Sequence, residues 1–297
     1  MPHGFDLRNR LGQSTALRVD RDRSRTQVRV AQRLNHGSAI LAAAVLLDSA
    51  VEHYRGGFYN PAMVTPLASS LVALVASLHG VGDTVQKRHR HRDAVFGLTA
   101  ATGVIGTGFH LYNVLKKPGG LRWQNLFYSG PIGAPAAIGL AGLFGLLAER
   151  VRDTPAPRDP ELLGHPAGRV LSLATAVSLL ATSGEAWLLH FRGAFHNPGM
   201  YLPVTMPPVG AALLTRAALG ASGERRLFTR AWLGLTALMG VAGMGFHVFG
   251  VSRAMGGWRN WRQNMVDGPP IPAPLSFIGL SLAGLAALAL MRAFPNE

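Results

Sequence analysis

The chain has 297 residues, of which 48% are hydrophobic and only 15% charged, with no cysteine and a formal charge of +14. A charged fraction so far below the roughly one quarter usual in soluble domains points to the bilayer, and the missing cysteine excludes disulfides, iron–sulfur clusters, thiolate metal sites and cysteine nucleophiles. The 29 lysines and arginines would suggest nucleic acid in a soluble protein, but their sided distribution, set out below, implies lipid and no nucleic-acid partner.

Residues 1 to 35 read as a basic cytoplasmic arm. Their mixture of arginine and aspartate between Arg18 and Arg33 suits a helix lying on anionic lipid or a segment without fixed structure. The first apolar run begins only near residue 38, so no cleavable signal is expected. Apolar stretches then follow from Ser38 to Tyr54, Pro61 to Gly82, Asp93 to Leu115 and Pro131 to Leu147. A second set runs from Val170 to Phe191, Met200 to Leu219, Phe228 to Val251 and Ile271 to Met291. Each has roughly the 17 to 25 residues a spanning helix needs. They are continuously apolar rather than alternating, which predicts helices and not a barrel.

The first connection reads His-Tyr-Arg-Gly-Gly-Phe-Tyr-Asn-Pro-Ala-Met-Val-Thr-Pro from residue 53 to residue 66. It returns 137 positions later as His-Phe-Arg-Gly-Ala-Phe-His-Asn-Pro-Gly-Met-Tyr-Leu-Pro, with eight of the fourteen positions identical. Gly103 to His110 return as Gly240 to His247 at the same offset, and Gln124, Asn125, Pro131, Ile132, Ala134 and Pro135 return 139 positions later as Gln263, Asn264, Pro270, Ile271, Ala273 and Pro274. The chain is therefore read as a tandem duplication. The expected fold is an all-α integral membrane protein whose eight transmembrane helices form two tandem, parallel four-helix repeats. Residues 36–149 make the first repeat and 170–297 the second, joined by a Pro-rich cytoplasmic linker over 150–169. An even number of spans per unit makes the two units parallel, related by a pseudo-two-fold axis along the membrane normal.

Orientation follows from the basic residues. The arm, the even-numbered connections and the tail carry 21 of them, and the odd-numbered connections carry the other eight: Arg55, Lys116, Lys117, Arg122, Arg192, Arg253, Arg259 and Arg262. The positive-inside rule places both termini in the cytoplasm, and the expected location is a bacterial inner membrane. His53, His110, His190 and His247 then all reach the outer leaflet.

Gly103, Gly106 and His110 share a helix face, as do Gly240, Gly243 and His247. One reading lays a flat cofactor on Gly106 and Gly243 and ligates its metal through the histidine; the other uses the glycines only to bring two helices together. His53 and His190 end the first helix of each unit and supply a second imidazole, so each unit is expected to ligate a b-type haem, two in all. Met63 and Met200 are alternative ligands or ordinary apolar packing. Arg55 and Arg192 suit a haem propionate or a lipid phosphate. Asp48 and Glu185 coincide between the copies and are assigned to proton transfer or to helix pairing. Asn60 and Asn197, each before a proline, are expected to be helix N-caps. His79, His89 and His91 are expected to be solvated, and Trp123, Trp258 and Trp261 to form a short amphipathic element or aromatic belt outside.

The leading functional expectation is a cytochrome-like membrane subunit of an oxidoreductase complex that takes electrons from a periplasmic dehydrogenase and passes them to quinone. A second reading makes the chain a transporter or channel with its pathway on the pseudo-two-fold axis. A third places all four histidines around one zinc or copper ion as a membrane metalloenzyme.

Overall fold

The computed structural model describes residues 4–155, 158–220 and 226–294, with side chains from residue 18 onward. Backbone amides in hydrocarbon have no water to bond, so each apolar stretch satisfies its own as a helix. The helices are α1 (Gly4–Arg55), α2 (Thr65–Gly82), α3 (Arg90–Leu115), α4 (Trp123–Tyr128), α5 (Gly133–Asp153), α6 (Ala167–Arg192), α7 (Leu202–Leu219), α8 (Leu227–Arg253), α9 (Trp261–Asp267) and α10 (Leu275–Ala293). Eight of them are long and apolar enough to cross a membrane. The chain is a multi-pass, all-α membrane protein.

The two short helices, α4 and α9, lie in the third and seventh connections, where a short element with tryptophan was expected. Residues 161–166 form a two-residue antiparallel hairpin, β1 (Glu161–Leu162) with β2 (His165–Pro166), turned through Leu163 and Gly164 at positive φ.

Packing separates an inner from an outer set of helices. α1 packs on α2, α5 and α10, and α6 on α7 and α10, while α3 leans on α5 and α8 on α10. The apolar windows of α1, α5 and α10 are 56%, 56% and 61% buried, against 22%, 17% and 22% for α2, α3 and α8. Exposed apolar side chains on α3 such as Leu98, Val104 and Ile105 therefore face acyl chains, since a soluble surface of that character would be unstable. Small residues bring the inner helices close: a Cβ on Gly37 of α1 would stand 2.9 Å from the Gly279 carbonyl of α10.

One expectation changes here. Residues 18 to 35 are not a separate arm but the continuation of α1. Gln27, Val30, Ala31 and Leu34 are buried, a spacing that puts them on one helical face. Arg23 pairs with Asp159 at 3.1 Å and lies over the Phe294 ring. The density of arginines in this stretch masked the apolar stripe beneath them. Residues 1–3, at the head of the expected arm, lie outside the described residues.

Candidate functional site

The repeated sequence at 53 to 66 and 190 to 203 builds the same turn twice. After α1, Gly57 and Phe58 both take positive φ (69° and 46°), and the Phe58 N–H donates to the His53 carbonyl at 3.0 Å. After α6, Ala194 and Phe195 do the same (54° and 45°), and the Phe195 N–H donates to the His190 carbonyl at 3.1 Å. The expected N-caps are present. Asn60 Oδ1 accepts from the Ala62 N–H at 2.9 Å and Asn197 Oδ1 from the Gly199 N–H at 2.8 Å, each starting a 3-10 turn that leads into the next helix.

These turns hold the histidines. Nδ1 of His53 bonds the Met63 carbonyl at 2.6 Å, and Nδ1 of His190 bonds the Met200 carbonyl at 2.8 Å. The other pair is held by the prolines that precede α5 and α10: Nδ1 of His110 bonds the Pro131 carbonyl and Nδ1 of His247 the Pro270 carbonyl, both at 2.6 Å. A carbonyl only accepts, so Nδ1 carries the proton in all four and the Nε2 lone pair is left for a ligand. That arrangement, an imidazole fixed through Nδ1–H to a backbone carbonyl, is how metal-ligating histidines are oriented. Phe58 and Phe195 add an edge-on ring contact to His53 and His190, with centroids 6.2 Å apart in both.

His53 and His110 lie within electrostatic reach of each other, as do His190 and His247. Among the described residues no three of His, Asp and Glu converge as a metal-holding group. Met63 and Met200 direct their methyl ends onto Gly56 and Gly193, and their carbonyls rather than their sulfurs serve the histidines.

The glycine faces need correction. A Cβ on Gly103 would fall 2.1 Å from the Gly139 nitrogen, and one on Gly106 3.0 Å from the Pro135 side chain. Gly240 and Gly243 meet Pro274 in the same way, at 2.8 and 3.1 Å. The faces assigned to a cofactor on Gly106 and Gly243 are filled by α5 and α10. Glycine removes the same Cβ for a helix as for a porphyrin, so the sequence could not tell the two apart.

The remaining candidates sit around the histidines. Arg55 pairs with Glu52 at 3.1 Å, whereas Arg192 lies over the Phe127 ring at 5.8 Å. Asp48 lines a narrow crevice with Glu52, Arg55, Gly268, Pro270 and Ile271. Glu185 packs its side chain against Gly133 at the start of α5, with its buried Oε1 left without a hydrogen-bond partner among the described residues. The two carboxyls lie within electrostatic reach of one another. Asn125 and Asn264, also common to both copies, brace the outer connections by donating to the carbonyls of Pro118 and Gly120, and of Met255 and Gly257.

The opposite end of the bundle holds a polar cluster that sequence reasoning missed. Arg92 and Arg152, 1% and 0% exposed, grip Glu149 from both sides, with Arg92 Nε 3.0 Å from Oε2 and Arg152 Nη1 2.9 Å from Oε1. Both guanidinium groups also reach Asp83, at 2.5 and 3.2 Å. His79 and His89, expected to be solvated, accept from Arg92 through Nδ1 at 3.2 and 2.8 Å, since arginine has only donors. Burial alone would raise the Asp83 carboxyl, but the bonds from Arg92 and the Val85 amide, with the charges of Arg152 and Arg92, outweigh it and hold the group below the usual carboxylate range.

No known protein family, curated protein or solved structure matches the chain.

Proposed function

We propose that the chain is a membrane electron-transfer subunit made of two tandem, parallel four-helix units, each holding a b-type haem between two histidines, His53 with His110 and His190 with His247. The observation that carries this reading is the identical treatment of the four histidines, each anchored through Nδ1–H to a loop carbonyl. Two imidazoles facing each other from non-adjacent helices of a bundle are a donor set suited to haem iron. The bound group supplies reversible one-electron exchange. The chain's own residues fix the imidazole tautomer and ring direction, and Arg55 and Arg192, beside the histidines, are placed to neutralise carboxylates.

The sided lysines and arginines support an orientation with both termini in the cytoplasm and the histidine end outside, in a bacterial inner membrane on this reading. Two sites in one leaflet carry electrons along the membrane surface rather than across it. The chain then takes electrons from a periplasmic dehydrogenase and delivers them to quinone, with Asp48 and Glu185 handling the protons. The test is cofactor content in purified, folded variants. His110→Ala and His247→Ala are each expected to lose one of two haems, and the double variant both; unchanged content in all three overturns the proposal.

A further inference from the structure

The acids and the histidines belong to different halves of the chain at the points where they meet. Gly133, against which the Glu185 side chain packs, is the first residue of α5. Amides at a helix start have no partner of their own, and a carboxylate is favoured there. Pro131, two residues earlier, carries the carbonyl that holds His110 at 2.6 Å. Glu185 itself stands on α6. The approach is close: a Cβ on Gly133 would lie 3.0 Å from Glu185 Cγ and 3.1 Å from its carboxyl, so a larger residue there would push the side chain back.

Asp48 faces the corresponding segment of the other half across a narrow crevice. It stands on α1, and the crevice it lines is closed by Gly268, Pro270, Ile271 and Pro272 from the segment before α10. The Pro270 carbonyl holds His247 at 2.6 Å. The same crossing recurs at the helix ends. Tyr54 of α1 bonds Arg262 of α9, and Trp187 and Phe191 of α6 pack on Trp123 beside them, with centroids 5.6 and 5.7 Å apart.

We infer that Glu185 and Asp48 are positioning residues acting across the halves, Glu185 fixing the segment that orients His110 and Asp48 the segment that orients His247. Neither acid touches the imidazole it serves. Each holds the backbone whose carbonyl takes the Nδ1 proton, and the proximity of the two carboxyls makes their shared neighbourhood a bridge between the histidine pairs. The haem readout below rests on the function proposed above; the imidazole readout does not.

The experiment uses the full chain, labelled with 15N-histidine, with and without added haem. In the unloaded protein, Glu185→Ala is expected to shift the Nδ1 resonance of His110 and leave that of His247 in place, and Asp48→Ala to do the reverse. Glu185→Gln, which keeps a side chain of the same size against Gly133, is expected to restore the His110 signal. Gly133→Ala, which displaces the carboxyl without removing it, is expected to reproduce the effect of Glu185→Ala and serves if that variant fails to fold. In haem-loaded protein reduced to one site, Glu185→Ala should loosen haem about tenfold or more when His247 is replaced, and leave binding unchanged when His110 is replaced. Crossed imidazole shifts in a chain that takes up no haem would keep the inference and sink the proposed function. Shifts confined to each acid's own half, or equal at both histidines, overturn it.

Discussion

The two ends of this bundle have treated their duplicated sequence in opposite ways. At the histidine end both copies keep the imidazole, the asparagine cap, the phenylalanine at positive φ and the carbonyl that takes the Nδ1 proton. At the other end the copies have parted. Arg92, Glu149 and Arg152 align with Thr229, Leu288 and Met291, all buried. A buried ion network and an apolar filling of similar size have comparable net stability, because desolvation offsets most of the Coulombic gain. The network is thus one of two fillings present in this chain, whereas the histidine end carries the same residues in both copies.

That contrast can be broken most forcefully inside the network. Glu149→Ala takes from two buried guanidinium groups the more deeply buried of the two carboxylates they share and is expected to cost about 3–5 kcal/mol. The triple replacement Arg92→Thr, Glu149→Leu, Arg152→Met, borrowed from the second copy, should cost far less. Thermal unfolding in detergent of both variants decides; equal losses would show that the network is indispensable. Next in size, Gly103→Ala forces α3 from α5 and should cost about 1–3 kcal/mol by overpacking. Gly97→Ala on the same helix meets nothing within 4 Å and should be close to neutral by the same assay.

The helix caps come third. Asn60→Ala and Asn197→Ala should each cost about 1 kcal/mol, and equal costs would sharpen the likeness of the two turns. Acid tests the other end. The Asp83 carboxyl titrates lower in the folded protein than in the unfolded chain, so its stabilisation is complete above the ordinary carboxylate pKa of about 4. It is lost only as pH falls through the depressed folded value. Melting curves between pH 6 and 3 should show an acid-side loss in the wild type that Asp83→Asn no longer displays. Smallest of all, Ala194→Gly should stabilise by up to about 1 kcal/mol, since alanine is strained at φ 54° and Gly57 already occupies the equivalent place.

The eight spans and the candidate histidines were legible because apolar length and internal repetition are properties of the chain itself. Phe58 and Phe195 were equally legible as identities between copies, yet their role depends on a backbone conformation that no pattern of residues announces. The Arg92 network was not legible. Its members are scattered from His79 to Glu149 and Arg152, occur in one copy only and meet solely through the packing of α2, α3 and α5 together. His79 and His89 read as surface residues for the same reason. Arginines at 18 to 33 hid the buried stripe of Gln27, Val30, Ala31 and Leu34, because charge dominates a short window even when one face is apolar.

The central claim is that the conserved treatment of the histidine end serves two equivalent cofactor sites. Its most direct test is the reduced-minus-oxidised visible spectrum of the full chain, purified in detergent after production with ample haem, together with the haem-to-protein ratio. The account predicts a sharp reduced α-band and a ratio near two. A featureless spectrum would contradict it.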